Sequence, residues 1–499
     1  MLRLEFNPLK VSRRRSLLSR TSSLPAQCLF GVLLALVSVG LGACGKNYYY
    51  FPRYTYGNRP VPPSQLANRV MVAVTQGGSG GSLQILDGAR DIRNNVQDTI
   101  KSFAISGFSA PYPNLILNFP EQVRGYVYSP ASPPSTAAGS LTTVNYSTES
   151  SSGAVGSGSA IASSVAVTPD VQRIYSTQET TGQLVVLDQT TGVQYALNLP
   201  NVYKVAVNQG DTVALAMVRN SDLLYRVVKL NANSASPPGA VDCQPYILPV
   251  YCVVPVPGTY DRPVDAYFSL DGNTAYILNC GPECGGSTAG VTLLQEGQLT
   301  IYTIPTSLPY SSAVTGSFAV PGGVTTALSD GTTLYVAGQQ LQPDGLFSGV
   351  LSTVNQATNT VTGSYSISDG YHSKLLFADD NTLWIGSRQC ANGERAKLGE
   401  NYNCLTRFDT SAKTAVVIPN LTATAPTVPY PNENNNQVYY GDLTGLCWVQ
   451  NLHKVYTAYG GQVHAFNTSD GSEINNYYIT VQGTALDVAY MDALTNAAN

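Results

Sequence analysis

Residues Ser269-Leu-Asp-Gly-Asn-Thr-Ala-Tyr276-Ile decide the fold, because the same spelling recurs along the chain. Leu328-Ser-Asp-Gly-Thr-Thr-Leu-Tyr335-Val and Phe377-Ala-Asp-Asp-Asn-Thr-Leu-Trp384-Ile repeat it closely. Val167-Thr-Pro-Asp-Val-Gln-Arg-Ile-Tyr175 and Val449-Gln-Asn-Leu-His-Lys-Val-Tyr456 repeat it more loosely. In each, an apolar run ends at an Asp- or Asn-containing turn, and an aromatic follows five residues after that Asp or Asn. Asp and Asn side chains bond their own backbone in tight turns, and Gly supplies positive φ, so this is hairpin chemistry.

Three weaker copies keep the register: Ala67-Asn-Arg-Val-Met71, Gln122-Val-Arg-Gly-Tyr126 and Val207-Asn-Gln-Gly-Asp-Thr-Val-Ala214. The register positions are then Met71, Tyr126, Tyr175, Ala214, Tyr276, Tyr335, Trp384 and Tyr456, at spacings of 39 to 72 residues. A third strand is expected after most of them, at Ser82–Asp87, Ser140–Asn145, Gln183–Asp188, Gln298–Tyr302, Val350–Asn355 and Gln462–Asn467. Thr362–Ile367 reads as a fourth. Four short strands per unit, with no amphipathic helical period, define an all-β single propeller. Eight units give eight four-stranded blades, or seven if one weak copy is not a blade. The first unit lacks an innermost strand and the chain ends in an orphan one, Ala485–Tyr490, similar to Pro263–Tyr267 and Tyr203–Val207. We expect the orphan to complete the first blade, closing the ring and covering exposed strand edges.

Val-Val-Leu-Asp188-Gln-Thr-Thr-Gly192 and Leu-Ser-Thr-Val-Asn355-Gln-Ala-Thr-Asn resemble the repeats of YVTN-type and quinoprotein-like propellers. The resemblance covers roughly 66 to 493 and implies fold, not function. Quinoprotein repeats would imply a Trp after the Thr-Gly turn that docks each blade on the next. Here that position holds Tyr195, and the chain has 2 Trp in all.

The N-terminus reads as an export signal. Residues 1–27 carry six basic side chains against Glu5, and the apolar run Cys28–Leu41 is too short to span a membrane comfortably. Leu41-Gly42-Ala43-Cys44 resembles the lipobox of bacterial lipoproteins, which implies cleavage before Cys44 and lipidation of its thiol. The expected organisation is a signal peptide over 1–43, a Tyr/Pro-rich tether over 44–65 and the propeller over 66–499. Gly45 in place of Asp favours the outer over the inner membrane by the enterobacterial sorting rule. Arg14-Arg15-Ser16-Leu17-Leu18 also resembles a twin-arginine signal, against the plainer reading of a basic leader.

Without the leader's six basic residues and one acid, the totals of 27 and 31 fall to 21 and 30, a net charge of −9. An acidic chain with no basic stripe speaks against nucleic acid as a partner. The propeller is expected to be monomeric, held to the membrane through Cys44 and engaging an unknown envelope protein.

Seven cysteines remain after Cys28 and Cys44. Three pairs lie close together, Cys243 with Cys252, Cys280 with Cys284 and Cys390 with Cys404, and read as disulfides of an oxidising compartment. The rival reading is a metal site built on Cys280 and Cys284, which lacks the second tight ligand pair zinc sites usually show. Cys447 is left over in an apolar run.

Chemistry-bearing motifs are few. Gly77-Gly-Ser79-Gly-Gly81 satisfies the Gly-x-Ser-x-Gly pattern, but it sits in a hairpin rather than a strand-to-helix elbow. The chain has 3 His, and of them His372 begins an innermost strand and could line the axial channel. Asp265 and Asp487 take equivalent places early in innermost strands and are further candidates to line it. Asp170, Asp271, Asp330 and Asp379 read as turn formers. No catalytic, metal or cofactor residue is assigned and no cofactor is expected.

Two functional classes follow. One is a non-catalytic, lipid-anchored cell-envelope propeller that binds protein partners or scaffolds an assembly; one outer-membrane assembly lipoprotein of bacteria is an anchored eight-bladed propeller. The other is a periplasmic quinoprotein- or lactonase-like enzyme with a ligand in its channel. Insertions over Ala131–Ser159, Pro237–Pro263 and Leu421–Tyr440 are expected as surface loops, possible parts of one binding face.

Overall fold

The computed structural model describes residues 59–78, 80–91, 103–135, 137–231, 233–244, 250–310, 312–390, 403–418, 440–474, 479 and 481–496. The signal peptide, Cys44 and most of the tether lie outside them. So does 421–439 of the last insertion.

Each repeat folds as an antiparallel meander running outward from the axis. Blade 1 holds, from the axis, Thr484–Tyr490, Arg69–Gly77, Gly80–Asp87 and Phe103–Ala104. Blade 2 holds Leu115–Phe119, Arg124–Ser129, Ser140–Asn145 and Ser150–Gly156. Blade 3 holds Ser164–Val167, Arg173–Gln178, Gln183–Asp188 and Val193–Asn198. Blade 4 has five strands, Val202–Val207, Ala214–Val218, Leu224–Leu230, Val250–Val256 and Asp242–Gln244. Blade 5 holds Pro263–Phe268, Thr274–Asn279, Gly290–Gln295 and Val314–Ala319. Blade 6 holds Thr326–Ser329, Thr333–Leu341, Phe347–Asn355 and Thr360–Ser366. Blade 7 holds Tyr371–Ala378, Thr382–Arg388, Leu405–Asp409 and Thr414–Ile418. Blade 8 shows Leu443–Val449, Lys454–Tyr459 and Gln462–Asn467, with Ile479 bridging Val463 on the outer side. The protein is an eight-bladed β-propeller.

The C-terminal strand closes the ring as expected, with Val72 opposite Val488 and Met71 opposite Ala489. Apolar clusters form between neighbouring blades, one wedge at each of the eight interfaces. Trp384, for example, packs between blades 7 and 8, and Tyr456 between blades 8 and 1. Burying one such large side chain stabilises by about 2 to 3 kcal/mol. The rings at the register positions are therefore what docks the blades. Tyr195 acts likewise, its ring 4.8 Å from that of Tyr251 in blade 4.

All eight register positions lie in the second strand of their blades, but one faces the wrong way. Val207 pairs with Ala214 and Ala206 with Leu215, as Phe268 pairs with Ala275 and Tyr267 with Tyr276. The counterpart of Tyr276 is thus Leu215, which packs toward blade 5, while Ala214 packs back toward blade 3. The turn before it carries Gly210 where the five clear copies carry Asp or Asn, and Asp211 comes one residue late. A slip of one residue flips the face.

Gln298–Tyr302 is also corrected. The third strand of blade 5 is Gly290–Gln295, and a single 3-10 turn, Glu296–Gln298, follows it. The chain then crosses to blade 4, where the Ile301 amide donates to Thr212 O (2.7 Å) and Lys229 N donates to Ile301 O (2.6 Å). Two of the expected loop insertions turn out to hold strands. Ala131–Ser159 holds Ser150–Gly156 besides the expected third strand Ser140–Asn145, and Pro237–Pro263 includes the two outer strands of blade 4.

Candidate functional site: the axial channel

The innermost strands line two connected cavities along the axis. A wide mouth of about 1200 Å³ opens where these strands begin, and a narrower chamber of about 550 Å³ opens where they turn into the second strands. Leu117, Ser373 and Lys374 line both and mark the waist. The N-terminal segment reaches the propeller on the narrow side. Arg69 opens a second strand beside the end of the closing strand, and Arg59 and Arg69 both reach Asp492 just past that strand.

A repeated irregularity shapes the wide mouth. Pairing between the first and second strands shifts by one at Val202/Lys204, Pro263/Asp265, His372/Lys374 and Leu443/Gly445. The extra residues, Tyr203, Val264, Ser373 and Thr444, all line the mouth. A bulge re-aims the side chains after it. The residues that follow hold equivalent places in the ring: Lys204, Asp265, Lys374, Gly445 and, in blade 1, Asp487.

Those places carry opposite charges that neutralise each other. Lys204 Nζ lies 2.7 Å from Asp265 Oδ2 across one interface. Lys374 Nζ lies 3.4 Å from Asp487 Oδ1 across two, reaching past blade 8. Gly445 makes that reach possible, since a Cβ there would lie 2.6 Å from Asp487 Oδ1. Asp487 also accepts the Ile116 amide of blade 2 at 2.8 Å, so it ties three blades together. The two acids singled out by equivalence thus differ: Asp265 keeps partial exposure, and Asp487 is buried.

His372 does not line the channel. It is fully buried, its Nε2 lies 2.8 Å from Ser368 O and its Nδ1 has no partner. Burial pushes its pKa down to about 4. The bulge at Ser373 is the reason, because it breaks the alternation that would put His372 on the axial side. Tyr371, Ser373 and Lys374 line the mouth in its place.

Other assignments sort plainly. Asp170, Asp271 and Asp330 accept amides of their own turns at 2.8 to 3.1 Å. Asp379 instead reaches blade 8, accepting Trp448 Nε1 (2.9 Å) and the His453 amide (3.0 Å). Gly77 and Gly80 pair across a hairpin, which is not a nucleophile elbow; Ser79 itself lies outside the described residues. Cys243–Cys252, Cys280–Cys284 and Cys390–Cys404 are disulfide-bonded, and Cys447 is a buried free thiol. Sequence reasoning missed Lys204 and Lys374. Aligning Tyr203-Lys204-Val-Ala with Ser373-Lys374-Leu-Leu and Leu486-Asp487-Val-Ala would have found them.

Around this ring the mouth carries Arg219, stacked 4.4 Å over the Tyr203 ring and 2.9 Å from Glu179. Arg262, Glu283, Tyr371 and Arg388 stand near it. Glu283 accepts the Gln339 amide at 2.8 Å, and burial raises its pKa. Of the rings near the channel, Tyr203 gives its face to Arg219 and Tyr371 lies half exposed on the mouth, while Trp384 is fully buried and Trp448 is tied to Asp379.

Fold and channel together define the class: an eight-bladed propeller with a charge-paired axial channel. No family model matches the chain, and no curated protein matches it in sequence. Among solved structures 1072 chains match, so the likeness is specific for fold and not for function. The dihydro-heme d1 dehydrogenase NirN, solved in complex with DHE, is 12% identical over 89% of this chain and 78% of its own, with a TM-score of 0.52. The C-terminal WD40 domain of Sif2 is 10% identical over 79% and 91%, with a TM-score of 0.49. A protein of Bacteroides uniformis described as a 6-phosphogluconolactonase is 12% identical over 85% and 99%, with a TM-score of 0.41.

Proposed function

We propose that the chain is exported, lipidated at Cys44 and held on the cell envelope, at the outer membrane, where its propeller binds a protein partner without chemistry of its own. One observation carries this reading. The wide mouth opens on the face opposite the one where the described N-terminal residues join the propeller, and its Lys204 and Lys374 are each held by one Asp while their side chains stay partly exposed. The described residues from Arg59 onward join the propeller on the narrow side and leave the wide mouth uncovered. Three disulfides suit an oxidising compartment. A rigid ring with a recessed mouth suits recognition, where preformed surfaces lose little on binding.

A photo-cross-linking side chain at Tyr371, half exposed at the mouth, tests this in intact cells of the source organism. The reading expects one discrete protein adduct there and none from the same probe at Val155 on the outer edge of blade 2. Equal or absent adducts would defeat it. So would a small molecule at full occupancy in native mass spectra of the gently extracted protein. Lipid labelling should vanish in Cys44→Ala.

A further inference from the structure

Resting on that reading, we infer that the wide mouth binds an extended acidic peptide segment of the partner. Five of the mature chain's 21 basic residues line this one cavity: Lys204, Arg219, Arg262, Lys374 and Arg388. Two acids line it with them, Glu283 and Asp369. Both point lone pairs at backbone amides, Glu283 at Gln339 N (2.8 Å) and Asp369 at Gly349 N (2.7 Å). Four of the five pair with a carboxylate, Lys204 with Asp265, Arg219 with Glu179, Arg262 with Asp222 and Lys374 with Asp487, so what the mouth offers a ligand depends on which partner of each pair is the more exposed.

In three of the pairs the cation is the more exposed partner. Side-chain exposure is 36% for Lys204 against 23% for Asp265, 51% for Arg219 against 29% for Glu179, and 27% for Lys374 against 2% for Asp487. In the fourth, Arg262 with Asp222, the acid is the more exposed, 60% against 26%, so it is at Lys204, Arg219 and Lys374 that a ligand meets the cation first. Arg388 is exposed and has no ion-pair partner among the described residues.

Position around the ring selects the ligand. The cations come from blades 4, 5 and 7, so a compact anion meets one group of them at a time. An extended chain bearing several carboxylates reaches all, and guanidinium groups take carboxylates in bidentate fashion. A volume of about 1200 Å³ admits several residues of such a chain. Tyr371, half exposed, lines the same cavity to meet its peptide groups. The remaining surface repels acidic segments, which sharpens the choice of this one place.

The experiment uses the full mature chain and a fluorescein-labelled alternating Glu-Gly decapeptide, with its Gln-Gly counterpart as control, read by anisotropy. Expected are saturable binding of the acidic peptide that weakens with salt, and roughly tenfold weaker binding of the neutral one. The double variant Arg219→Gln/Arg388→Gln, changed only at exposed positions, should lose roughly tenfold while its melting midpoint stays put. Failure to bind, equal binding of the neutral peptide, an unaffected double variant, or displacement by inorganic phosphate at matched charge would each overturn the proposal. Adducts at Tyr371 that the acidic peptide does not suppress would sink it and leave the partner-binding reading standing. Loss of both adducts and peptide binding would remove both.

Discussion

Arg69 and Asp492 lie 423 positions apart in the chain and meet at 2.6 Å, with the Arg69 backbone amide also donating to Asp492 at 2.8 Å. Arg69 opens the second strand of blade 1, and Asp492 follows the closing strand. Glu149 of blade 2 joins them, 3.0 Å from the guanidinium and hydrogen-bonded to Ser64. The cluster is almost wholly buried, so it ties the start of the propeller, its end and the next blade at one point.

Removing one partner of a buried pair strands the other's charge, which costs about 3 to 5 kcal/mol. Asp492→Ala should therefore lower the unfolding free energy by about that much, measured in denaturant melts. Arg59 reaches the same carboxylate but is half exposed, and Arg59→Ala should cost under about 1 kcal/mol. Equal losses in the two variants would mean that the buried pair is not the clasp.

Gly445 makes a different kind of demand. A methyl group there would sit 2.5 Å from the Val488 amide nitrogen and 2.6 Å from Asp487 Oδ1, closer than real contacts allow. The innermost strands of blades 8 and 1 would have to part. Gly445→Ala should destabilise by about 1 to 3 kcal/mol, the usual cost of overpacking. Hydrogen exchange should quicken in Thr484–Tyr490 before it does in blade 4, and uniform quickening around the ring would contradict a local effect.

The fold was legible because it is written in repeats. Turn chemistry and the aromatic five residues on recur often enough that one spelling error, at Ala214, did not hide the blade. Closure was legible too, since Ala485–Tyr490 has no sequence neighbour to pair with. The channel was not, and the reason lies in the bulges. His372 looked axial because it begins an innermost strand, and the extra residue at Ser373 put it in the core. Asp265 and Asp487 were placed by equivalence, and Lys204 and Lys374 hold the same place in their own strands, but nothing local in the sequence says which Lys meets which Asp across the ring. The Arg69–Glu149–Asp492 cluster escaped for the same cause: its members share no motif, only the ring.

Buried His372 should make stability depend on pH. In the unfolded chain a histidine takes a proton near pH 6.5, whereas in the fold burial holds His372 neutral down to about pH 4. Below 6.5 the unfolded state thus gains a proton that the folded state refuses. Its contribution is intact above pH 6.5 and is lost as pH falls toward 4, by up to about 1.4 kcal/mol per pH unit. Denaturation midpoints of wild type and His372→Gln, compared from neutral pH downward, should diverge in slope. The Gln amide can still donate to Ser368 O, so the variant keeps that bond and loses only the titration. Parallel slopes would show that His372 protonates in the fold.

Cys447 offers a final check on burial and on the disulfides together. It lies in the innermost strand of blade 8, fully buried, and burial raises its thiol pKa far above the ordinary range. A buried thiol without thiolate character is inert, while the six other cysteines of the propeller are held as disulfides. Iodoacetamide on the native, unreduced protein should leave the propeller unmodified. After denaturation without reductant one carbamidomethyl group should appear, at Cys447, and after reduction six more. Early labelling of Cys447 would mean that blades 8 and 1 part in solution, at the seam where Gly445 lets their innermost strands meet.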